Sequence, residues 1–372
     1  MACYIGLMSG TSLDGVDAVL AHDTGRGTAA VRASAHASLP MPDALRGELL
    51  ALNQAGANEL HRAALAANAI SELYADAVTQ LVRQAGVAAA DVAAIGAHGQ
   101  TVRHRPREFD GTGYTLQLLN GALLAERTGI DVVCDFRSRD IAAGGEGAPL
   151  VPAFHAACFA QPGIDVAVLN IGGIANLTLL RAGGEVQGFD CGPGNVLMDL
   201  WCRRHRDMAY DSGGMWAAGG HVDAGLLSRW LAEPFFERTP PKSTGRDLFD
   251  TAWLDTMLPA ATTSTQDVMA TLAELTARVA VDAVRRHAPQ TRSLLVCGGG
   301  AYNGHLMSRL RQLLGPGSTV CSSADAGVPP EQVEALAFAW LARAHLARVC
   351  GNVPAVTGAR GPRVLGALYP AR

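Results

Sequence analysis

Two strand–turn–strand segments with glycine in the turn constrain the fold most. The first joins strands predicted over 3–8 and 16–21, at the start of the chain. The second joins strands predicted over 166–170 and 174–180, near its middle. Helical stretches and further strands follow each copy, which is typical of an α/β fold. Because the 372 residues exceed one core of ~100–200 residues, we expect two lobes, each opening with one of these segments.

Proline and glycine between 151 and 165 mark the expected boundary between the lobes. We therefore predict an N-terminal lobe over 1–160 and a C-terminal lobe over 161–349, with 350–372 packing back on the first.

Hydrophobic periodicity supplies the other elements that matter for function. It predicts helices over 58–84, 195–205 and 331–348. It also predicts a strand over 293–297 that runs directly into three glycines.

Composition excludes several functional classes. The net charge of −4 and the lack of any Lys/Arg run argue against a non-specific nucleic-acid binder. Lys242 is the only lysine and belongs to no G-x-x-x-x-G-K-[ST] motif, so the chain is not a P-loop NTPase. The eight cysteines form no C-x-x-C pair and fit reduced thiols better than disulfides or a zinc site. With no 18-residue apolar span and no secretory leader pattern, we expect a cytoplasmic protein with no membrane contact.

The first turn, Gly10–Gly15, combines free backbone N–H groups, two hydroxyls and one carboxylate. Such a turn can wrap phosphate oxygens, and Asp14 can hold Mg²⁺ directly or through water. A plain polar hairpin loop is the alternative, since Asp-Gly is a common turn pair.

Two further glycine-rich segments have the same character. The second turn, 170–176, offers amide side chains where the first offers hydroxyls. Residues 297–303 lie between a strand and a helix and could let a nucleotide base or ribose approach the backbone. A structural turn is the alternative there, and the spacing lacks the dinucleotide pattern G-x-G-x-x-G.

An aspartate in the segment Gly188–Asn195 is a candidate catalytic carboxylate. Asp190 precedes a rigid Gly-Pro-Gly turn that we expect to open a helix. An aspartate that caps the helix is the alternative.

Three other polar segments each have a plain surface alternative. Residues 98–104 have no standard metal-ligand spacing, and 135–140 offer guanidinium groups suited to a carboxylate or phosphate. Residues 242–247 are either a functional loop or a solvated one.

Together these segments resemble the anhydro-N-acetylmuramic acid kinase family. The matching stretches follow one another over nearly the whole chain: GLMSGTSLDGVD (6–17), HGQTVRH (98–104), DFRSRDIAAGGEGAPLVPAFH (135–155), LNIGGIANLT (169–178), GFDCGPGN (188–195), KSTGRDLF (242–249), VCGGGAYN (296–303) and EALAFAWLA (334–342).

The resemblance implies an actin-like, hexokinase-like fold, with two ribonuclease-H-like lobes and ATP in the cleft between them. ATP would be bound with Mg²⁺, and Asp14 is the expected metal residue. The residues expected to bind ATP are Gly10, Thr11, Ser12, Leu13, Asp14, Gly15, Val16, Asp17, Asn170, Gly172, Gly173, Asn176, Gly298, Gly299, Gly300 and Asn303.

The resemblance also implies the reaction. A kinase of this family would open the 1,6-anhydro ring of 1,6-anhydro-N-acetylmuramic acid and phosphorylate O6, giving N-acetylmuramic acid 6-phosphate in cell-wall recycling. Asp190 matches the position of the base that activates water. The residues expected to contact the sugar are His98, Gln100, Arg137, Arg139 and Glu334.

Some points stay open at the level of sequence. Glu146 stands where the family more often has glutamine, and its charge would weaken ATP binding unless it points away or meets an arginine. A homodimer is compatible with the sequence. A sugar kinase acting on an ordinary hydroxyl and a non-catalytic ATP switch of the same fold are the alternative functions.

Overall fold

The computed structural model describes residues 2–10, 12–25, 31–244, 248–258 and 263–372. The chain forms two compact units. The first unit comprises Met1–Cys158 together with Gln332–Arg372, and the second comprises Phe159–Glu331.

The strands are β1 (Cys3–Met8), β2 (Gly15–Asp23), β3 (Val31–Pro40), β4 (Val92–Ala97), β5 (Gln100–Pro106), β6 (Gly113–Leu118), β7 (Val132–Cys134), β8 (Val166–Ile171), β9 (Ile174–Leu180), β10 (Val186–Pro193), β11 (Ser293–Cys297), β12 (Thr319–Ser322) and β13 (Ala367–Tyr369).

The α-helices are α1 (Asp43–Ala51), α2 (Glu59–Ala85), α3 (Gly121–Thr128), α4 (Ser138–Ala142), α5 (Val151–Phe159), α6 (Val196–Arg206), α7 (Met215–Ala218), α8 (Ala224–Leu231), α9 (Pro234–Glu237), α10 (Thr251–Met257), α11 (Thr265–His287), α12 (Gly304–Leu314), α13 (Val333–Leu346) and α14 (Pro354–Thr357).

Five strands in each unit form a sheet with the same strand order, and the sheet of the first unit has β13 in addition. In the first unit the order is β13-β7-β4-β1-β2-β3, and in the second it is β10-β9-β8-β11-β12. In each, the first strand pairs antiparallel with the second and parallel with the fourth, and the third lies antiparallel beside the second. This duplication confirms the predicted two-lobed α/β fold. The hairpin β5–β6 forms a separate two-stranded sheet in the first unit.

The long helix α2 shows how the sequence pattern fixes one element. Ile70, Tyr74, Val78 and Leu81 recur at helical spacing and are all buried. Gly86 ends the helix with a φ of +65°, the left-handed conformation that glycine adopts at no steric cost. Helix formation over 58–84 was predicted within one residue at each end.

Helix α13 belongs to the first unit, although its residues fall within the range predicted for the second lobe. It lies so close to β1 and β4 that both strands carry glycine at the contact. A Cβ atom on Gly6 would come within 1.8 Å of the Ala335 carbonyl oxygen, and one on Gly96 within 1.9 Å of the Phe338 carbonyl oxygen. The buried, alanine-rich surface of α13 therefore packs directly on the backbone of the first sheet.

Candidate functional site

The turn between β1 and β2 is held by side chains from distant parts of the first unit. The Leu13 N–H donates to the Gly10 carbonyl at 3.2 Å, closing the turn, and Leu13 has a φ of +58°. Gln100 Nε2 donates to the Gly10 carbonyl at 3.3 Å, and Arg46 Nε donates to the Leu13 carbonyl at 2.9 Å. These contacts fix the conformation of the loop.

The side chains of this turn divide into exposed polar groups and buried apolar ones. Ser12 and Asp14 are exposed, whereas Leu13 and Val16 are buried, so the last two can meet a ligand only through their backbone. Thr11 lies outside the described residues.

The next polar residue along β2 is already paired. Asp17 Oδ1 lies 3.0 Å from His36 Nε2 on the neighbouring strand. Gly15, at the start of β2, packs against the backbone of Leu39, where a Cβ atom would come within 2.4 Å of the carbonyl oxygen.

Half-buried Arg137 and buried His98 form a pair in the first unit. Arg137 Nε and Nη2 approach His98 Nε2 at 3.1 and 2.9 Å, and Arg137 Nη1 donates to the Gly147 carbonyl at 2.9 Å. A guanidinium only donates hydrogen bonds, so His98 Nε2 is the acceptor and the ring is neutral. Burial, reinforced by the Arg137 charge, lowers the pKa of His98 to about 3, which agrees with that assignment.

Arg137 remains positively charged although burial lowers the pKa of its guanidinium. Burial lowers the pKa of its guanidinium to about 10, and the negative charges of Glu334 and Asp140 oppose that shift. Arg137 is therefore a cation at neutral pH. Glu334 is half-buried in the first turn of α13, whereas Arg139 is exposed.

Gln100 and Glu146 complete the polar surroundings in this unit. Gln100 is buried, and its Oε1 atom has no hydrogen-bond partner within the described residues. Glu146 Oε1 lies 3.2 Å from Arg107 Nε, so the extra charge at this position is paired with an arginine.

In the second unit, the turn between β8 and β9 packs against the loop that precedes α6. The Gly172 carbonyl accepts the Asn195 N–H at 2.8 Å, and the Gly173 carbonyl accepts the Gly194 N–H at 2.9 Å. Asn195 Nδ2 also donates to the Ile171 carbonyl at 3.1 Å. Two backbone N–H groups and one side chain thus support the second hairpin, whereas the side chains of Gln100 and Arg46 hold the first.

The glycines after β11 lie against the same hairpin. Gly298 has a φ of +75°, and a Cβ atom there would come within 2.4 Å of Asn170 Oδ1. Only glycine fits this position, so 298–300 brings its backbone next to the second turn. Asn303 caps α12, its Oδ1 accepting the Leu306 N–H at 2.9 Å.

Asp190 lies in a strand. It sits in β10 opposite Asn176, which in turn lies opposite Asn170 in β8. The register of β10 shifts between Asp190 and Gly192, which is the signature of a β-bulge, a feature that re-aims side chains near active sites. The helix-capping alternative is therefore wrong, because α6 begins only at Val196.

The segment after α9 covers Asp190. The Asp190 N–H donates to the Lys242 carbonyl at 3.1 Å, and Asp190 Oδ2 accepts the Thr244 N–H at 2.9 Å. Burial raises the pKa of Asp190 to about 6, although the Thr244 N–H and the Lys242 charge both favour the ionised form. A carboxyl group that titrates near 6 is suited to accept a proton at neutral pH.

Lys242 itself is anchored rather than mobile. Its Nζ donates to the carbonyls of Phe235 and Phe236, both at 3.2 Å, and lies 4.8 Å from the Phe235 ring centroid. Burial lowers the pKa of its ammonium group. Residues 245–247 of the same segment lie outside the described residues.

Comparison with known proteins decides the family. The family model for anhydro-N-acetylmuramic acid kinase matches residues 2–371. The anhydro-N-acetylmuramic acid kinase of Variovorax paradoxus is 61% identical over 374 residues, covering 99% of each chain. That of Bordetella petrii is 60% identical, covering 99% of this chain and 96% of the relative. This chain belongs to the anhydro-N-acetylmuramic acid kinase family.

Likeness to solved structures is more distant. An activator of 2-hydroxyisocaproyl-CoA dehydratase from Clostridium difficile, solved with bound ADPNP, is 13% identical. It covers 93% of this chain and 97% of its own, with a TM-score of 0.47.

Two further observations concern metals and membranes. Within the described residues, no group of three or more His, Cys, Asp or Glu side chains could hold a metal ion. In the same part of the chain, no helix is long and apolar enough to cross a membrane.

The buried contacts of Asp140 were not predicted from the sequence of this kinase. Asp140 is fully buried and joins residues more than two hundred positions away, although the motif 135–140 was singled out only for its arginines. The only local signal for it was its position at the end of the polar run 135–140, directly before the largely apolar, glycine-rich stretch 141–145.

Proposed function

We propose that this chain phosphorylates O6 of 1,6-anhydro-N-acetylmuramic acid while hydrolysing its anhydro bridge. The product is N-acetylmuramic acid 6-phosphate, in cell-wall recycling. Membership of the kinase family over residues 2–371 carries the proposal, and the half-buried Asp190 supplies the chemistry that it needs.

Asp190 acts as the general base. A 1,6-anhydro sugar has no free 6-hydroxyl, so its bridge has to open before or during phosphoryl transfer. Asp190 takes a proton from water, the water oxygen bonds to C1, and the C1–O6 bond breaks. The freed O6 accepts the γ-phosphoryl group of ATP. The raised pKa of Asp190 supports this role, because a carboxylate with a pKa near 6 is a stronger base than an ordinary one and is still ionised at pH 7.

The nucleotide is held by backbone N–H groups more than by charged side chains. The first turn offers the N–H groups around Gly10 and Ser12, and the second offers those around Gly172 and Gly173. The glycines at 298–300 leave the backbone beside the second turn open to a ribose or base. Asn303, whose Oδ1 caps α12, contributes to this site mainly by fixing the loop.

The sugar is recognised by the polar residues of the first unit. N-acetylmuramic acid carries a lactyl carboxylate, and a guanidinium is the side chain best matched to a carboxylate. Arg137 is charged and oriented by His98, which supports it over the exposed Arg139 as the residue that contacts this group. Gln100 and Glu334 provide further polar groups in the same unit.

Mg²⁺ fits the residues of the first turn. This ion keeps several waters and is usually held by one or two carboxylates together with substrate phosphates. Asp14, exposed in the turn, satisfies that requirement without a dedicated cage of ligands. When bound, Mg²⁺ neutralises charge on the phosphates.

Phosphorylation assays with three acceptors test the proposal. We expect ATP-dependent product with 1,6-anhydro-N-acetylmuramic acid, and none with glucose or without sugar. In ¹⁸O-labelled water, the heavy oxygen should appear on C1 of the product and be absent from the transferred phosphate. Label in the phosphate would mean that water attacked ATP, which would contradict the coupled reaction.

A further inference from the structure

A buried carboxylate links the segment around Arg137 to the C-terminal part of the chain. Asp140 in α4 is fully buried. Its Oδ2 accepts the Gly147 N–H at 2.8 Å, and its Oδ1 accepts Asn352 Nδ2 at 2.6 Å and Thr357 Oγ1 at 2.8 Å. All three donors are neutral. A buried carboxylate is costly unless such bonds satisfy it, so the network acts as a unit.

Gly147 connects this network to Arg137. Its N–H donates to Asp140, and its carbonyl accepts Arg137 Nη1 at 2.9 Å. The other edge of the same guanidinium is held by His98. The orientation of Arg137 therefore depends on His98 and on the placement of Gly147, whose N–H is held by Asp140.

The C-terminal segment also holds this loop through its backbone. The Glu146 N–H donates to the Thr357 carbonyl at 2.7 Å, and the Arg360 N–H donates to the Ala143 carbonyl at 2.9 Å. Residues 143–147 thus lie between Arg137 and the chain around α14. A shift of that chain would be passed to the Gly147 carbonyl, because hydrogen bonds join each step.

We propose that Asp140, Asn352 and Thr357 are positioning residues that orient Arg137 toward the carboxylate of the sugar. The inference rests on the proposed function, in which Arg137 contacts the sugar. None of the three touches the substrate; they act through Gly147. Positioning matters because small displacements of a binding group can lower the reaction rate substantially.

The test removes one hydroxyl from the network. Thr357→Val keeps the side-chain shape and removes the bond to Asp140 Oδ1. We expect the KM for 1,6-anhydro-N-acetylmuramic acid to rise about tenfold, which equals about 1.4 kcal/mol, while the KM for ATP stays unchanged. Thr357→Ser retains the hydroxyl and should restore the wild-type KM for the sugar. Thr79→Val is the matched control, because in the part of the chain that the structure describes Thr79 Oγ1 bonds only within α2, to the Ala75 carbonyl at 2.9 Å.

A second background isolates the route through Arg137. An Arg137→Lys protein lacks the guanidinium group that donates to the Gly147 carbonyl. In that background, Thr357→Val should raise the KM for the sugar no further. If valine prevents folding, Thr357→Ala replaces it. That variant should likewise raise the KM for the sugar and leave the KM for ATP unchanged.

Two results would overturn the inference. One is a Thr357→Val enzyme that melts at a lower temperature but keeps the wild-type KM for the sugar. The other is an equal rise in both KM values. A wild-type chain with no activity on the anhydro sugar would instead overturn the proposed function, and it is therefore assayed first.

Discussion

The two sheets share one strand order but carry different residues at corresponding positions. In the second unit, Asp190 on the third strand lies opposite Asn176, which lies opposite Asn170. In the first unit, Ser38 holds the place of Asp190, and it lies opposite Asp17. One duplicated scaffold therefore has a carboxylate on its second strand in one copy and on its third strand in the other.

Their surroundings explain why only one of these carboxylates suits a base. Asp17 is paired with His36, and its side chain is 39% exposed to water. Asp190 is covered by the segment that contains Lys242 and Thr244, and its burial raises its pKa to about 6. The comparison teaches that the sheet places a carboxylate, while its burial raises its basicity against the opposing effects of the Thr244 N–H and the Lys242 charge.

The largest expected effect comes from replacing the two residues that share this register. Asp190→Asn should lower turnover by ~10²–10⁴, because an amide of nearly the same shape cannot accept the proton from water. Ser38→Ala, the matched change in the first unit, should leave turnover within about twofold, as expected for a residue outside the chemistry. Steady-state kinetics measure both, with ATP binding measured separately by calorimetry. A fully active Asp190→Asn enzyme would show that Asp190, like Ser38, is not needed for the reaction.

The second prediction concerns the helix contact that the first sheet makes through glycine. Gly96→Ala should destabilise the protein by about 3 kcal/mol, because the new Cβ atom would lie within 1.9 Å of the Phe338 carbonyl. Gly47→Ala is the control. Gly47 lies in α1 with open space around it, so alanine there should be neutral or stabilise by about 0.5–1 kcal/mol. Urea unfolding gives the free energy of unfolding of both variants. If the two were equally stable, α13 would be able to move away from the new Cβ atom at little cost.

The third prediction separates the two turns by their polar groups. Asp14→Ala should raise the concentration of Mg·ATP needed for half-maximal rate by about tenfold, since Mg²⁺ keeps its other ligands on the phosphates and water. Asp91→Ala, which removes another exposed aspartate of the same unit, should have no effect. Normal kinetics for Asp14→Ala at limiting Mg²⁺ would show that the first turn binds Mg·ATP through its backbone alone, as proposed for the second turn.

The smallest expected effect is a shift of the pH profile. In the proposed reaction Asp190 must be ionised to take a proton from water, so kcat/KM should fall as the pH drops through about 6. Lys242→Met removes a positive charge that favours the ionised form, so the pKa of Asp190 should rise and the acid limb should move to higher pH. Lys242→Arg retains the charge and should leave the limb in place. An unchanged limb in the Met variant would show that burial alone sets this pKa.

Much of the fold follows from local sequence pattern. The strand over 293–297 and the two glycine hairpins were predicted from alternation and turn residues, and the structure has them there. The third strand of the second sheet was missed. Gly188, Gly192 and Pro193 make β10 resemble a turn, and an edge strand with a bulge is the one place in a sheet that tolerates them.

Contacts between distant parts of the chain explain what local pattern could not predict in the site. The hydrogen bonds of Asp140 to Asn352 and Thr357 span more than two hundred residues, and no spacing rule links such positions. The segment 98–104 was recognised as polar, but the neutral state of His98 follows from its burial and from the guanidinium that faces it, which local pattern does not show.

The position of α13 in the sequence determines when the first unit can finish folding during synthesis. All residues of the second unit, 159–331, leave the ribosome before Val333, the first residue of the helix that covers β1 and β4. The N-terminal unit begins first and yet is completed last. Until α13 is synthesised, the face of β1 and β4 at Gly6 and Gly96 lacks this helix, and exposed apolar surface of that kind favours aggregation of the nascent chain.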